Sequence, residues 1–371
     1  VSMKTKATEL LGIEVPIFAF SHCRDVVIEV SRAGGCGVLG VAYHNAEQLR
    51  EELNWIESHI EGKPYGIDIL LPGKYQKLES HTITRADIPS LQRDYLRDYL
   101  DSGGIPRLPE EQHDELLDRA LATIQMTPEQ SRELVEIALE YNIKMVVNAL
   151  GVPDREMVER LHARGIVVGA MVGKPEHAIR QREAGVDIVI AQGAEAGGHT
   201  GTLTSMILWP EVVDAVAPMP VLAAGGIGTG RQVAAALALG CDGVWCGSIW
   251  LTTTESELLP IVKQRLVEAK SEEAVQRRSR TGKPVRLLKS KLTEAFEQAG
   301  APPILPMPLQ TATMMESNLR VERAGAKDWV YSPVGQIVGQ MKSETSCREV
   351  IYNLLDEFVD AKERMDGLVN S

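Results

Sequence analysis

Short apolar runs alternate along the chain with longer stretches in which apolar residues recur every three or four positions. The short runs are rich in valine and isoleucine, as is typical of strands buried on both faces, and the longer stretches are typical of amphipathic helices. Eight short runs can be counted: Val15–Ala19, Gly37–Val41, Tyr65–Leu70, Lys144–Asn148, Ile166–Ala170, Val186–Ala191, Pro220–Ala224 and Asp242–Cys246. Eight βα units favour a closed (β/α)8 TIM barrel, although an open doubly wound sheet has the same local pattern.

The predicted helices lie between these strands, and several end at a glycine of the kind that commonly follows a helix. They include Asn45–Ile60, Thr127–Glu140, Asp154–Ala163, Pro175–Ala184 and Gly230–Leu239, and the glycines are Gly165, Gly185 and Gly240. This regular order of strand, helix and glycine predicts an α/β fold.

Two regions interrupt the alternation of strands and helices, and insertions of this kind usually carry the functional loops of a barrel. Residues 72–127 follow the third strand and are rich in charge and tyrosine, so we predict a mostly helical insertion over the barrel mouth. Its Tyr95–Tyr99 segment suits either a lid or a subunit contact, which leaves a homodimer open. Around this insertion we expect a barrel at 10–255, a small helical substrate or cap region at 256–330, and a C-terminal segment at 331–371 that returns to the barrel.

The charge balance limits the kinds of partner. Among 371 residues, 39 are Lys or Arg and 51 are Asp or Glu, and the net charge of −12 disfavours non-specific binding to nucleic acid or to an anionic membrane. An anionic ligand must therefore be held locally. The stretch Arg277–Lys291 carries seven positive charges and no acid, so it offers one such place.

The five cysteines are widely spread and include no C-x-x-C pair, which argues against a disulfide framework or a zinc site. Polar residues interrupt the first ten positions, and no charge-free apolar run is long enough to span a membrane. We expect a soluble cytoplasmic protein without a bound metal.

Glycine-rich corners follow predicted strands at the end of a barrel where active sites form. Ala224–Gly230 follows the seventh strand and opens a helix, and Gly247–Ser248 follows the eighth. Glycine lets the main chain approach an anion closely, and free N–H groups at a helix start add positive potential. The two corners together favour a phosphate-binding site over two simple tight turns.

Titratable side chains follow the sixth and first strands. His199 lies in the glycine-rich loop Gln192–Gly201 and is the leading candidate for a general base. Glu195 of this loop could orient the imidazole or could cap the loop by accepting main-chain N–H bonds. His22 is a second acid–base candidate. Its neighbour Cys23 is interpreted as a packed thiol, because a nucleophile would need a stabilised thiolate.

At these residues the sequence resembles the nitronate monooxygenase family of FMN-dependent (β/α)8 barrels, which are related to the flavin-dependent enoyl-acyl-carrier-protein reductases. The resemblance spans most of the chain, and the histidine loop is its most specific part. The matching segments are Glu14–Ile17, Ser31–Gly37, Ala191–Gly201, Ala223–Gly228, Ala236–Asp242, Thr281–Arg286, Pro308–Gln310 and Gly335–Gln336.

The resemblance implies FMN as cofactor and implies roles at the matching positions. Gly225, Gly226, Gly247 and Ser248 are expected to bind the FMN phosphate, and His199 is expected to be the catalytic imidazole. Gln192 and Gly193 are expected near the isoalloxazine ring. The other expected cofactor contacts are Ala19, Asp68, Gly198, Ala224 and Gln336.

Two departures from the family pattern concern the flavin surroundings. His22 stands after the first strand where members usually carry methionine. Asp68 in the third strand replaces an asparagine, and a carboxylate can donate a hydrogen bond only when it is protonated. FMN binding survives these changes, and the identity of the substrate does not follow from the resemblance.

The first functional hypothesis is therefore oxidation of an alkyl nitronate by O2 to a carbonyl compound and nitrite. The alternative keeps the flavin but acts on an enoyl or acyl thioester of CoA or acyl-carrier protein, or uses NAD(P)H. In that case Arg277–Lys291 could hold the phosphates of CoA, although a solvated helix end is the simpler explanation of this stretch. A third hypothesis, a barrel that only binds a partner, conflicts with the intact glycine corners and His199.

Overall fold

The computed structural model describes residues 2–69, 83–124 and 128–369, and its centre is a closed barrel of eight parallel strands. The strands are β1 Ile17–Ser21, β2 Cys36–Gly40, β3 Tyr65–Ile69, β4 Met145–Asn148, β5 Val167–Val172, β6 Ile188–Gln192, β7 Val221–Ala224 and β8 Gly243–Cys246. Each strand pairs with the next in sequence, and β1 closes on β8 with Ala19 opposite Cys246. The (β/α)8 prediction is confirmed, and the open sheet is excluded.

Alternate residues of each strand fill the inside of the barrel, because successive side chains of a strand point to opposite faces. Phe18, Val38, Met145, Ile190 and Trp245 belong to this inner cluster. The residues between them pack outward in the larger cluster that joins the barrel to its helices. The inward positions nearest the carboxyl ends of the strands therefore surround the barrel mouth.

Helices cover the outside of the barrel and form a cap. Those that follow barrel strands are α2 Arg24–Arg32, α3 Ala46–His59, α6 Pro128–Ala138, α7 Arg155–His162, α8 Pro175–Glu183, α9 Ser205–Val216 and α10 Gly230–Ala238. The others are α1 Lys6–Leu11, α4 Ser90–Ser102, α5 His113–Ala122, α11 Pro260–Glu268, α12 Leu309–Ala324 and α13 Cys347–Val369. No helix in the described part of the chain is long and apolar enough to cross a membrane.

The insertion after β3 contains α4 and α5 and packs on residues that follow the barrel. The hydroxyl of Tyr95 donates to the carbonyl of Ala295, and the hydroxyl of Tyr99 donates to the carbonyl of Lys291 over 3.1 Å. The tyrosines that suited either a lid or a subunit contact are thus used inside the chain, in a cap built from both segments. The first part of the predicted insertion, up to residue 82, and residues 125–127 lie outside the described residues.

The region after the barrel contains an antiparallel hairpin, β9 Ala274–Arg277 and β10 Val285–Leu288. The basic stretch Arg277–Lys291 therefore forms the end of one strand, a loop and the other strand, and the helix-end interpretation is wrong. Pro284 and the positive φ of Gly282, +82°, oppose a helix here. The expectation of a wholly helical cap region is corrected accordingly.

The C-terminal helix α13 packs against α10 on the barrel wall. The main-chain N–H of Gly230 donates to Oε2 of Glu357 over 2.7 Å. A Cβ atom at Gly230 would lie only 2.2 Å from the carbonyl oxygen of Leu354, so this contact requires glycine. The C-terminal segment thus returns to the barrel, close to the glycine-rich corner after β7.

Candidate active site

The carboxyl end of β3 places a buried acid at the barrel mouth. Asp68 is 5% exposed and points inward, since Ile67 and Ile69 on either side pack outward. No group among the described residues forms a hydrogen bond with its Oδ2. Burial raises the pKa of Asp68 from 3.8 to about 8, so the group is mostly protonated at neutral pH. In that form Asp68 can donate a hydrogen bond as an asparagine would.

His199 lies in the loop after β6, with Nε2 3.0 Å from Oγ1 of Thr281. The Thr281 hydroxyl donates to the carbonyl of Lys283 over 3.3 Å. Because the hydroxyl has one proton, it accepts from Nε2–H, and Nδ1 of His199 is left as a proton acceptor. Partial burial and then the charges of Arg280 and Lys283 lower the pKa of His199. The ring is therefore neutral at pH 7, the form that a general base needs.

His22 provides a second imidazole at the end of β1. Its Nδ1 lies 2.9 Å from the carbonyl oxygen of Gly40, and since a carbonyl only accepts, Nδ1 carries the proton and Nε2 is the acceptor. The ring meets Phe20 edge-on, with 5.2 Å between centroids. His22 keeps contact with solvent, and partial desolvation by the surrounding protein lowers its pKa, with a smaller lowering from Arg280. His22 is thus also neutral at pH 7.

Glu195 caps α9 and does not contact His199. Its carboxylate accepts from the main-chain N–H of Ser205 at 3.0 Å and from the Ser205 hydroxyl at 2.9 Å. Gly193 permits this packing, because a Cβ atom there would lie 2.0 Å from Oγ of Ser205. Of the two interpretations of Glu195, capping is the one that the structure bears out.

The start of α10 is not the free anion site that the sequence favoured. Gln232 accepts from the N–H of Thr229 at 2.9 Å, and Glu357 accepts from the N–H of Gly230. These donors are already satisfied, in one case by a carboxylate from α13. An anion at this corner would have to use the main chain that precedes the helix.

That preceding turn retains main-chain donors. Gly225 and Gly226 have φ angles of +93° and +72°, which favour glycine. Within the described ranges, the N–H groups of Gly226 and Ser248 have no hydrogen-bond acceptor. Ser248, which follows Gly247, accepts a hydrogen bond from the N–H of Gly335 at 2.8 Å through its Oγ. A cavity of about 450 Å³ borders Gly225 and Gly226.

The other residues expected at the cofactor are Ala19, Gly198, Ala224 and Gln336. The side chain of Ala19 is fully buried on the outward face of β1, so it does not reach the mouth. Gly198 exchanges two main-chain hydrogen bonds with Arg286, of 2.9 and 2.7 Å, and offers no free donor. Ala224 belongs to the inner barrel cluster. Gln336 does come to this region, since it lines the same cavity as the glycine corner.

Cys23 is a packed thiol, as interpreted from the sequence. Its Sγ donates to the carbonyl of Glu255 over 3.0 Å, and burial raises its pKa. All five cysteines are buried and free. In the described part of the chain, no group of three or more His, Cys, Asp or Glu side chains could hold a metal ion.

The structure adds Arg280 to the mouth, a residue that sequence reasoning did not single out. Its guanidinium carbon lies 5.9 Å from the ring centroid of Tyr331, whose hydroxyl donates to Asn318 over 3.1 Å. Arg280 directly precedes Thr281, which contacts His199, and its charge lowers the pKa of both His22 and His199. The basic stretch Arg277–Lys291 was the feature of the sequence that pointed to this region, but the sequence does not reveal which of its charges form ion pairs.

A closed barrel with glycine corners after its last two strands, and with two neutral imidazoles at the same end, defines an α/β-barrel enzyme. The model of the nitronate monooxygenase family matches residues 4–357. The chain therefore belongs to the nitronate monooxygenase family and is a flavin-dependent oxidoreductase.

Similar proteins span nearly the whole chain. The Mycobacterium tuberculosis protein Rv1533, named as a monooxygenase, is 45% identical over 377 residues, which cover 99% of this chain and 100% of that protein. A Staphylococcus saprophyticus protein named as a nitronate monooxygenase is 28% identical over 91% of this chain and 92% of its own length. Nitroalkane oxidase from Streptomyces ansochromogenes superposes with a TM-score of 0.76 at 26% identity, covering 96% of this chain and 99% of its own. FabK from Thermotoga maritima gives 0.74 at 25% identity, covering 99% and 100%.

Proposed function

We propose that this chain is an FMN-dependent nitronate monooxygenase that oxidises an alkyl nitronate with O2 to a carbonyl compound and nitrite. The observation that carries the proposal is a mouth with two neutral imidazoles, His22 and His199, near the guanidinium of Arg280. A neutral imidazole can accept the α-proton of a nitroalkane, and a guanidinium can stabilise the anion that results. Membership of the nitronate monooxygenase family supports the same chemistry.

The residues at the mouth fit FMN. The phosphate would be held by Gly225, Gly226, Gly247 and Ser248, since the N–H groups of Gly226 and Ser248 have no acceptor among the described residues. Asp68 brings a buried Oδ2 without a described partner, and an orphaned buried polar atom of this kind is expected to meet a ligand. FMN, when bound, supplies the electron acceptor for oxidation of the substrate.

The other residues expected at the cofactor differ in which side-chain or main-chain groups they could bring to it. Gln192 and Ala224, at the inward ends of neighbouring strands, and Gly193 of the following loop would lie beside the flavin ring. Gln336 would approach from the C-terminal segment. The Ala19 side chain faces outward, so it would not contact the cofactor. Gly198 would contribute shape only, because its main chain is already hydrogen bonded.

His199 would act as base when the substrate is a neutral nitroalkane. Nδ1 is the accepting atom, because Nε2–H is held by Thr281. The lowered pKa of His199 keeps this atom free of a proton at pH 7. The new imidazolium charge would be balanced by the nitronate formed beside it. A nitronate supplied directly needs no base, so this role concerns only the neutral substrate.

The test is anaerobic addition of propionate 3-nitronate to the purified flavin-loaded protein, followed by admission of O2 and measurement of nitrite. We expect the nitronate to bleach the visible flavin band and O2 to restore it. NADH, NADPH and an enoyl-CoA are added to separate samples. If the flavin band responds to one of these and not to the nitronate, the thioester or nicotinamide alternative replaces the proposal. A colourless protein that takes up no FMN would reject both.

A further inference from the structure

The seven positively charged side chains between Arg277 and Lys291 differ in their ion-pair and hydrogen-bond partners. Five are engaged by other protein groups. Arg277, Lys289 and Lys291 pair with Glu297, Glu294 and Asp328, whereas Arg278 and Arg286 donate to main-chain carbonyls of Gly282, Ala194 and Ala274. Arg280 and Lys283 form no ion pair with any carboxylate among the described residues. Arg278 and Arg286 also lack a carboxylate partner, but they donate to main-chain carbonyls. Of these seven side chains, Arg280 and Lys283 have neither an ion pair nor a hydrogen bond within the described residues, and both lie in the loop that contacts His199 through Thr281.

Arg280 directly precedes Thr281, whose hydroxyl oxygen lies 3.0 Å from Nε2 of His199. The positive charge of Arg280 lowers the pKa of His22, at the end of β1, and of His199, in the loop after β6. Its guanidinium is half-buried beside the face of Tyr331. A half-buried cation is unfavourable without a counter-ion, and Arg280 has none among the described residues although the chain as a whole is acidic, so this position suits a cation that meets an anionic ligand.

The nearest acid influenced by Arg280 does not neutralise it. Glu322 of α12 has its pKa raised by burial, and the charge of Arg280 lowers that pKa only in part. No oxygen of Glu322 lies within ion-pair distance of the guanidinium. The two imidazoles are neutral at pH 7, so Arg280 and the more exposed Lys283 are the positive groups available to a ligand at this part of the mouth.

We propose that Arg280, supported by Lys283, binds the negatively charged group of the substrate and selects a planar oxyanion. A guanidinium presents N–H donors in a planar fork that matches two oxygens on one centre, as in a nitronate or a carboxylate. The inference rests on the proposed function for the identity of the nitronate. The anion site itself follows from the unpaired charge and its position.

The first experiment compares Arg280→Gln and Arg280→Lys with Arg323→Gln, in which the same charge is lost from an exposed position on α12. Binding of nitrite and of propionate is followed by the imidazole NMR signals of the flavin-loaded protein. We expect Arg280→Gln to weaken anion binding by roughly 10- to 100-fold, because a hydrogen-bonded charge is lost. Arg280→Lys should recover part of the affinity, and Arg323→Gln should bind anions as the wild type does.

The second measurement is the pKa of His22 and His199 by NMR in the same variants. Both pKa values should rise in Arg280→Gln and stay unchanged in Arg323→Gln, because the charge of Arg280, unlike that of Arg323, acts on both rings. With ethyl nitronate as substrate, KM should rise while kcat changes less; with neutral nitroethane, KM should change little.

The outcomes separate this inference from the proposed function. Unchanged anion affinity and unchanged histidine pKa values in a folded Arg280→Gln variant overturn the anion site, whatever the enzyme oxidises. Loss of anion binding in that variant, in a protein that oxidises no nitronate, keeps the anion site and rejects the proposed reaction.

Discussion

Replacement of Asp68 by Asn should stabilise the flavin-free protein, and the gain should increase with pH. The wild-type carboxyl group is buried, its Oδ2 has no partner among the described residues, and its pKa is raised from 3.8 to about 8. Above pH 3.8 the unfolded chain releases this proton while the folded protein retains it, so the free energy of unfolding falls as pH rises and levels off above about pH 8. The amide of Asn keeps the shape of the side chain and does not titrate.

The size of the effect follows from the difference between the two pKa values. Each pKa unit corresponds to about 1.4 kcal/mol, so the wild type loses up to about 6 kcal/mol across the full range and about 4 kcal/mol of this by pH 7. The stability difference between Asp68→Asn and wild type should therefore grow by about 1.4 kcal/mol per pH unit between pH 5 and 7. His22 and His199 at the barrel mouth are present in both proteins, so their titration cancels in the comparison.

Urea unfolding at pH 5, 6, 7 and 8 measures this difference directly. Asp214→Asn removes a carboxylate from an exposed position on α9 and is the matched control, for which no pH-dependent gain is expected. A stability difference between Asp68→Asn and wild type that is the same at all four pH values would refute the reasoning. It would mean that Asp68 is ionised in the folded protein.

Three further predictions concern the base, the cap and the C-terminal helix. His199→Asn should reduce turnover of neutral nitroethane by roughly 100-fold or more and turnover of ethyl nitronate far less, because only the neutral substrate must lose a proton; equal losses would reject the base assignment. Arg320→Ala should lower the free energy of unfolding by about 3–5 kcal/mol, because this buried guanidinium pairs with Asp101 and donates to the carbonyls of Ile105 and Pro106. The control is Arg107→Ala, which removes an exposed guanidinium paired with the same Asp101. It should lower the free energy of unfolding, measured with urea, by less than about 1 kcal/mol. Gly230→Ala should lower the free energy of unfolding by about 1–3 kcal/mol, because its Cβ would meet the α13 backbone. Gly367→Ala, in open space on α13, should be neutral or slightly stabilising. Equal effects of the two substitutions in thermal unfolding would contradict the close contact at Gly230.

The barrel strands could be predicted because their signal is local. Each is a short, mostly apolar run, and each of the eight barrel strands begins and ends within two residues of the prediction. The hairpin β9–β10 was not predicted. In β10 the half-exposed Arg286 lies between the buried Val285 and Leu287, which is the alternation typical of a strand. The surrounding basic residues made this alternation hard to recognise in the sequence.

Properties of the site that depend on distant partners could not be predicted. The donors at the start of α10 looked free in sequence, yet Glu357 reaches one of them from α13. Whether Arg280 is paired depends on the carboxylates that tertiary packing brings near it. The protonation of Asp68 follows from burial, which a single polar residue in a strand does not reveal.

The titratable groups at the mouth explain why recognition of an anion falls to one side chain. Asp68, His22 and His199 are uncharged at pH 7, since desolvation by the surrounding protein opposes charge on each and Arg280 opposes it on the two imidazoles. Arg280 therefore keeps the base ready to accept a proton by the same charge that attracts the anion. A chain with a net charge of −12 repels anions at long range, so the attraction must act at short range, where a half-buried guanidinium is little screened. When a neutral nitroalkane loses its proton, the charge of the nitronate that forms would offset that of Arg280 and make protonation of His199 easier. Proton removal and stabilisation of the resulting anion would thus be coupled through one residue.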